Sequence, residues 1–142
     1  EKLANFAFAD ATYRVTDIPE GLLVDHAFEC VGGAASQSAI DQIIDHIQPE
    51  GTIGLLGVSE YPVPINTRMV LEKGLRLYGS SRSGRSDFVK TVELYQSHPE
   101  IVNYLDAIVG ARIEVRSMAD MVRAFEMDIH KSMGKTIMHW MQ

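Results

Sequence analysis

The sequence predicts an α/β protein built on a parallel, doubly wound sheet, and three observations carry that prediction. Apolar runs of strand length recur at Leu23–Cys30, Thr52–Val58 and Leu75–Ser80. Helical stretches separate them, which is the sequence form of βαβ units. Each run also finishes in small residues: Cys30-Val31-Gly32-Gly33, Leu56-Gly57-Val58 and Gly79-Ser80-Ser81-Arg82. In a doubly wound sheet, ligands lie outside the carboxyl ends of the strands.

The elements follow in order. Leu3, Phe6 and Ala7 stand at helical spacing, so Lys2–Ala9 reads as the tail of a helix without a capped start. Thr12–Val15 reads as a short strand, closed by Pro19, Glu20 and Gly21. After Leu23–Cys30, Ser36 or Ser38 can cap a helix, and Ser38 with Asp41 resembles a capping box. Ile40, Ile43, Ile44 and Ile47 recur at i, i+3, i+4 and i+7 and mark its buried stripe, which Pro49 and Gly51 end. Thr52–Val58 is a continuous apolar run, as in a strand covered on both faces.

Pro62 and Pro64 keep Tyr61–Ile65 extended and outside a sheet interior. Asn66 or Thr67 caps a short helix that Gly74 stops. Leu75–Ser80 alternates apolar and polar residues, which suits a sheet edge or a subunit contact. Beyond the loop Ser81–Arg85, Ser86 caps a helix carrying Phe88, Val92 and Tyr95, bounded by Pro99. The last third supplies a strand at Ile108–Val115 and a helix started by Ser117 and Asp120. That helix carries a stripe of Met118, Met121, Val122, Phe125 and Ile129, and a closing strand follows at Lys135–Trp140.

Composition narrows the function. The net charge of −6 argues against a nucleic-acid partner, since phosphate backbones call for a basic face. No apolar run approaches the roughly 20 residues of a membrane span, and no secretory leader opens the chain. Glu1 is not an initiator methionine, so the start reads as a processed or cut end. A single cysteine, Cys30, excludes an internal disulfide and fits a reducing cytoplasm.

Few residues have the pattern of a reactive centre. Cys30 reads as a small buried hydrophobe. His26, His46, His98, His130 and His139 show no metal-ligand spacing. Asp25 and Glu29 fall on the same side of one strand, a weak signal for acid–base work. The segment Ser80–Ser86 is the most basic and polar stretch in an acidic chain. Its hydroxyls, Arg82, Arg85 and a helix start suit a phosphate, or simply a solvated cap. The loop G-x-G-x-x-G that commonly grips a dinucleotide is absent from these residues.

The order VDHAFECVGG, PEGTIGLLGVSE, VLEKGLRLYGSSRSG and GKTIMHW resembles the C-terminal part of the zinc-dependent medium-chain dehydrogenases/reductases. FECVGG, SQSAIDQIID, LLGVSEYPVPINTR and EKGLRLYGSSRSG point to the bacterial polyol-phosphate branch of that family. The resemblance implies an incomplete Rossmann-type sheet over 1–98, followed by a C-terminal α+β segment, 99–142, that joins the catalytic domain. It implies NADPH-dependent reduction of D-ribulose 5-phosphate to D-ribitol 5-phosphate, the supply step for CDP-ribitol and teichoic acid synthesis. Alternatives are a non-catalytic nucleotide-binding module or a dehydrogenase for another sugar alcohol.

The same resemblance places Val31 and Gly32 beside the adenosine side of the cofactor. It sets Leu56, Gly57 and Val58 along the nicotinamide, Ser80, Ser81 and Arg82 at its carboxamide, and Lys135 against the pyrophosphate. Charge alone adds Arg82 or Arg85 as holders of a substrate phosphate. The zinc ligands and the glycine-rich loop would lie upstream of Glu1, which leaves these residues catalytically silent by themselves. A strand edge left open at Leu23–Cys30, with family dimer contacts near Leu75–Ser80, predicts a homodimer or higher oligomer through sheet edges.

Overall fold

The computed structural model describes residues 2–130 and 134–141; Glu1 lies outside them. The chain divides into two compact units, Arg14–Ser83, and Glu1–Tyr13 with Gly84–Gln142. Each is described by itself.

The unit Arg14–Ser83 is a three-stranded parallel sheet. Its strands are β1 (Val24–Glu29), β2 (Ile47–Leu55) and β3 (Arg76–Gly79), in the order β1-β2-β3. Helix α1 (Ser36–His46) links the first pair, and α2 (Thr67–Lys73) links the second. The isoleucine stripe forms the core, but α1 stops at His46 before Pro49, and Ile47 opens β2 instead of closing the helix. Ile40, Ile44 and Ile47 are buried with Ile53 and Leu75, and Ala27, Leu55, Val70 and Leu77 pack against them. Lys73 adds a tie across the unit: its ammonium donates to the carbonyls of Ile44 (2.5 Å), at the end of α1, and Ile47 (3.0 Å), at the start of β2.

The strand β2 begins five residues before the predicted Thr52. Pro49 and Gly51 do not interrupt it, because they sit in an irregularity that the ladder steps over. Val24 pairs with Ile47 and His26 with Thr52, so Gln48–Gly51 stand opposite Asp25 alone. Glu50 turns the corner with φ 63°. A bulge lets one strand carry extra residues without losing its register. The face that ends β2 is equally specific. Gly54 pairs with Phe28 on one side and Tyr78 on the other, and a Cβ at Gly54 would lie 2.8 Å from the Phe28 ring.

Three local expectations are corrected. Thr12–Val15 is not a strand; it finds no ladder partner among the described residues, and Val15–Asp17 forms a 3-10 turn. The α1 helix has no capping box. Its N-cap is Ala35, and Ser38 donates its hydroxyl back to the Ala35 carbonyl at 2.9 Å. The helix expected to start at Ser86 starts from Gly84, whose N–H donates to the Asp87 carboxylate at 2.7 Å. Asn66 and Gly74 bound α2 as the sequence indicates: the Asn66 side chain accepts the Met69 N–H, and Gly74 is left-handed at φ 63°.

The second unit holds α3 (Arg85–Ser97), α4 (Glu100–Asp106), β4 (Val109–Val115), α5 (Met118–His130) and β5 (Lys135–Trp140). The strands β4 and β5 pair in parallel, with α5 as the crossover. Phe8 stacks on Tyr104 at 4.9 Å, which attaches the first residues of the chain to α4. Among the described residues, no helix is long and apolar enough to cross a membrane.

Candidate functional site: the ends of β1 and β2

The carboxyl ends of β1 and β2 meet around one side chain. Glu29, the last residue of β1, is 1% exposed. Its Oε1 accepts the N–H of Val31 at 2.8 Å and of Gly32 at 2.9 Å, both on its own loop. Its Oε2 accepts the N–H of Gly57 at 3.1 Å, from the loop after β2. The Glu29 carbonyl continues the join, accepting from Leu56 and Gly57 at 2.9 Å each. A further bond runs from the Gly33 N–H to the Val58 carbonyl, 2.8 Å.

Glycine is required at both contact points. Gly32 has φ 66°, and a Cβ there would lie 2.7 Å from the Val58 carbonyl oxygen. At Gly57 a Cβ would meet the Glu29 carboxylate and sit 2.5 Å from the Gly32 nitrogen. Backbone approaches backbone here as closely as the chain permits.

The Gly32 amide, the largest influence, holds the Glu29 carboxyl below the usual carboxylate range. Burial works in the opposite direction, and the Val31 and Gly57 amides and the Ser36 hydroxyl add to the lowering. Hydrogen bonds to the charged form thus outweigh desolvation. The anion already has its donors and holds no proton to give at neutral pH. The weak acid–base reading of Asp25 with Glu29 is corrected accordingly: Asp25 is exposed in the irregular part of β1, whereas Glu29 is buried among amides.

The structure brings Val31, Gly32, Leu56, Gly57 and Val58 together as two adjoining loops. Their outward side chains are apolar and open, Val31 at 62% and Val58 at 84% exposure. The third loop is linked to them through the Ser80 N–H, which donates to the Leu55 carbonyl at 3.4 Å. Ser80, Ser81 and Arg82 are exposed, and Arg82 takes the left-handed φ of 67° that a non-glycine residue seldom adopts. Arg85 and Lys135 belong to the second unit, at the start of α3 and of β5, and both are exposed. Cys30 is exposed rather than buried, which corrects the expectation of a packed hydrophobe. His26 is exposed as well.

Glycine-lined strand ends suit a flat, extended ligand such as a dinucleotide, because no side chain stands between backbone and ligand. A zinc ion has no such place: no three His, Cys, Asp or Glu side chains converge among the described residues. The role of Glu29 as the link between loops was not visible in the sequence beyond an acid set just before two glycines.

A parallel sheet with glycine-lined strand ends has the architecture of a nucleotide-binding α/β fold, and the pattern of zinc-binding dehydrogenases matches residues 3–97. The chain belongs to that family. It is 58% identical over 139 residues to a ribulose-5-phosphate reductase of Bacillus spizizenii, covering 98% of this chain and 41% of that protein. It is 56% identical to ribulose-5-phosphate reductase 2 of Staphylococcus aureus, with the same coverage. The crystal structure of S. aureus TarJ in complex with NADPH aligns with a TM-score of 0.95 at 55% identity, over 99% of this chain and 44% of that one. The chain therefore spans about two-fifths of the length of the curated relatives it matches.

Proposed function

We propose that this chain is the C-terminal part of a cytoplasmic ribulose-5-phosphate reductase, converting D-ribulose 5-phosphate to D-ribitol 5-phosphate with NADPH. The observation that carries the reading is the pair of glycine loops locked together around Glu29, on a chain 58% identical to a reductase of that name. NADPH, when bound, supplies a hydride to the ketone carbon; the carbonyl oxygen gains a proton and NADP⁺ leaves. Residues of this chain bind and orient the cofactor. Val31 and Gly32 flank the adenosine, Leu56, Gly57 and Val58 line the nicotinamide, and Ser80, Ser81 and Arg82 meet the carboxamide. Lys135 serves the pyrophosphate, and Arg82 or Arg85 the substrate phosphate.

In this reading residues 1–98 serve cofactor binding and 99–142 complete the catalytic domain. The product feeds CDP-ribitol and teichoic acid synthesis. Two copies associate through open sheet edges; β1 and β3 are the edges of the three-stranded sheet described here. The test is NADPH oxidation by the complete protein that carries this chain, with D-ribulose 5-phosphate against unphosphorylated D-ribulose. Turnover that requires the phosphate and falls at least tenfold in Arg82→Ala or Arg85→Ala supports the reading. Equal use of both sugars, or greater activity on another ketose, overturns it.

A further inference from the structure

The amides of Val31, Gly32 and Gly57 converge on a single point, and such a nest of N–H groups ordinarily captures a ligand anion. In this chain the anion is built in, because the Glu29 carboxylate occupies the nest from the protein side. These amides are spent and are withheld from any ligand phosphate. What they do instead is mechanical. Val31 and Gly32 come from one loop and Gly57, 28 positions after Glu29, from another, so the carboxylate joins two loops beside the backbone bonds of Gly33 to Val58 and of Gly57 to Glu29.

We propose that Glu29 is a positioning residue for the cofactor: it sets the loop Val31–Gly33 against the loop Leu56–Val58 so that both meet the same dinucleotide. The proposal rests on the reading of these loops as cofactor-lining. Glu29 takes no part in proton transfer. It is 1% exposed, and both its oxygens are occupied by backbone donors. Gly32 and Gly57 leave no room for a side chain that could hold the loops together in its place.

Glu29→Gln separates positioning from mere packing. It keeps the volume and one carbonyl oxygen for Val31 and Gly32, but turns an NH₂ toward the Gly57 N–H, donor against donor. The experiment uses the complete reductase carrying this chain, labelled with ¹⁵N-glycine, and follows the Gly32 and Gly57 amide resonances beside steady-state kinetics. The expected result is a displaced Gly57 resonance and a KM for NADPH raised about tenfold, the scale of one lost charge-assisted hydrogen bond. The KM for D-ribulose 5-phosphate should change less than twofold. If E29Q does not accumulate, Glu29→Asp, which keeps the charge but shortens the reach to Gly57, is measured for the same split. A displaced Gly57 resonance with an unchanged KM for NADPH overturns the proposal and leaves Glu29 a structural residue. A parallel loss of kcat with both KM values constant does the same. A wild-type protein that does not saturate with NADPH overturns the cofactor reading itself, and the proposal with it.

Discussion

Both sheets of this chain are parallel, yet they are finished to different depths. In the three-stranded sheet β2 has a neighbour on each side, and α1 lays Ile40 and Ile44 over Ile47 and Ile53; all four are at most 2% exposed. Around the two-stranded sheet the fully buried residues, among those described, are Val115 of β4 and Ala124 of α5. The helix α5 turns Met121, Ala124 and Asp128 inward, whereas Phe125 and Ile129 from its predicted apolar stripe stay 55% and 75% exposed. An apolar stripe marks where burial is possible, and the opposing layer decides whether it happens. A pair of strands offers α5 too narrow a floor to cover two faces.

The largest test of this contrast is Ile53→Ala. Removing a fully buried isoleucine side chain should cost about 3 kcal/mol, through lost burial and the cavity left behind. The matching change at Phe125→Ala should stay within about 0.5 kcal/mol, since that ring remains largely in solvent. Native-state hydrogen exchange reads each region separately. Protection should fall across β1–β3 in the first variant and hold across β4–β5. Equal losses in both variants would mean that Phe125 is covered in solution.

The same contrast shows why some of the fold was legible and some was not. Ile40, Ile43 and Ile44 announced α1 because their spacing coincides with a real opposing layer, of which Ile47, the first residue of β2, is part. Asn66, Gly74 and Ser117 announced helix ends because capping is a local matter. The early start of β2 was hidden, since Pro49 and Gly51 are ordinarily stop signals and only the partner strand reveals the bulge. Strand ends were readable as a glycine-rich ligand surface from Gly32, Gly57 and Gly79. Their mutual fit was not readable, because it depends on Glu29 meeting Gly57, and sequence patterns do not report approaches over that separation. The helix α4 also left no clear mark, being seven residues long and without a side-chain N-cap bond.

A second prediction concerns the buried anion. Glu29→Ala strands the Val31 and Gly32 amides, while the Gly57 N–H keeps its bond to the Glu29 carbonyl, and should cost about 2 kcal/mol in the three-stranded region, less than the isoleucine core. Its pH dependence has a definite sign. Backbone hydrogen bonds hold the folded carboxyl below the usual carboxylate range, so its stabilising contribution is complete above that range. The contribution is lost as pH falls through the lowered folded value. Unfolding titrations from neutral pH down to acid should therefore show a drop below the usual carboxylate range that Glu29→Gln flattens. A drop of the same steepness in both proteins would place the acid sensitivity elsewhere.

The smallest effect compares the two helices that face the sheets. Ser117 caps α5: its Oγ accepts the Asp120 N–H at 3.3 Å and donates to the Asp120 carboxylate at 2.8 Å. That hydroxyl, ahead of the Arg116 amide, lowers the Asp120 carboxyl below its usual range. The start of α1 has no such bond, and Ser38 merely points back to the Ala35 carbonyl. Ser117→Ala should thus cost about 1 kcal/mol, the usual value of a lost cap, and Ser38→Ala a few tenths at most. Exchange of the first amides of each helix measures both. A helix with a broad buried stripe can do without its cap, whereas α5, seated on a narrow floor, cannot; if Ser38→Ala frays α1 as far as Ser117→Ala frays α5, depth of packing is not what separates the two sheets.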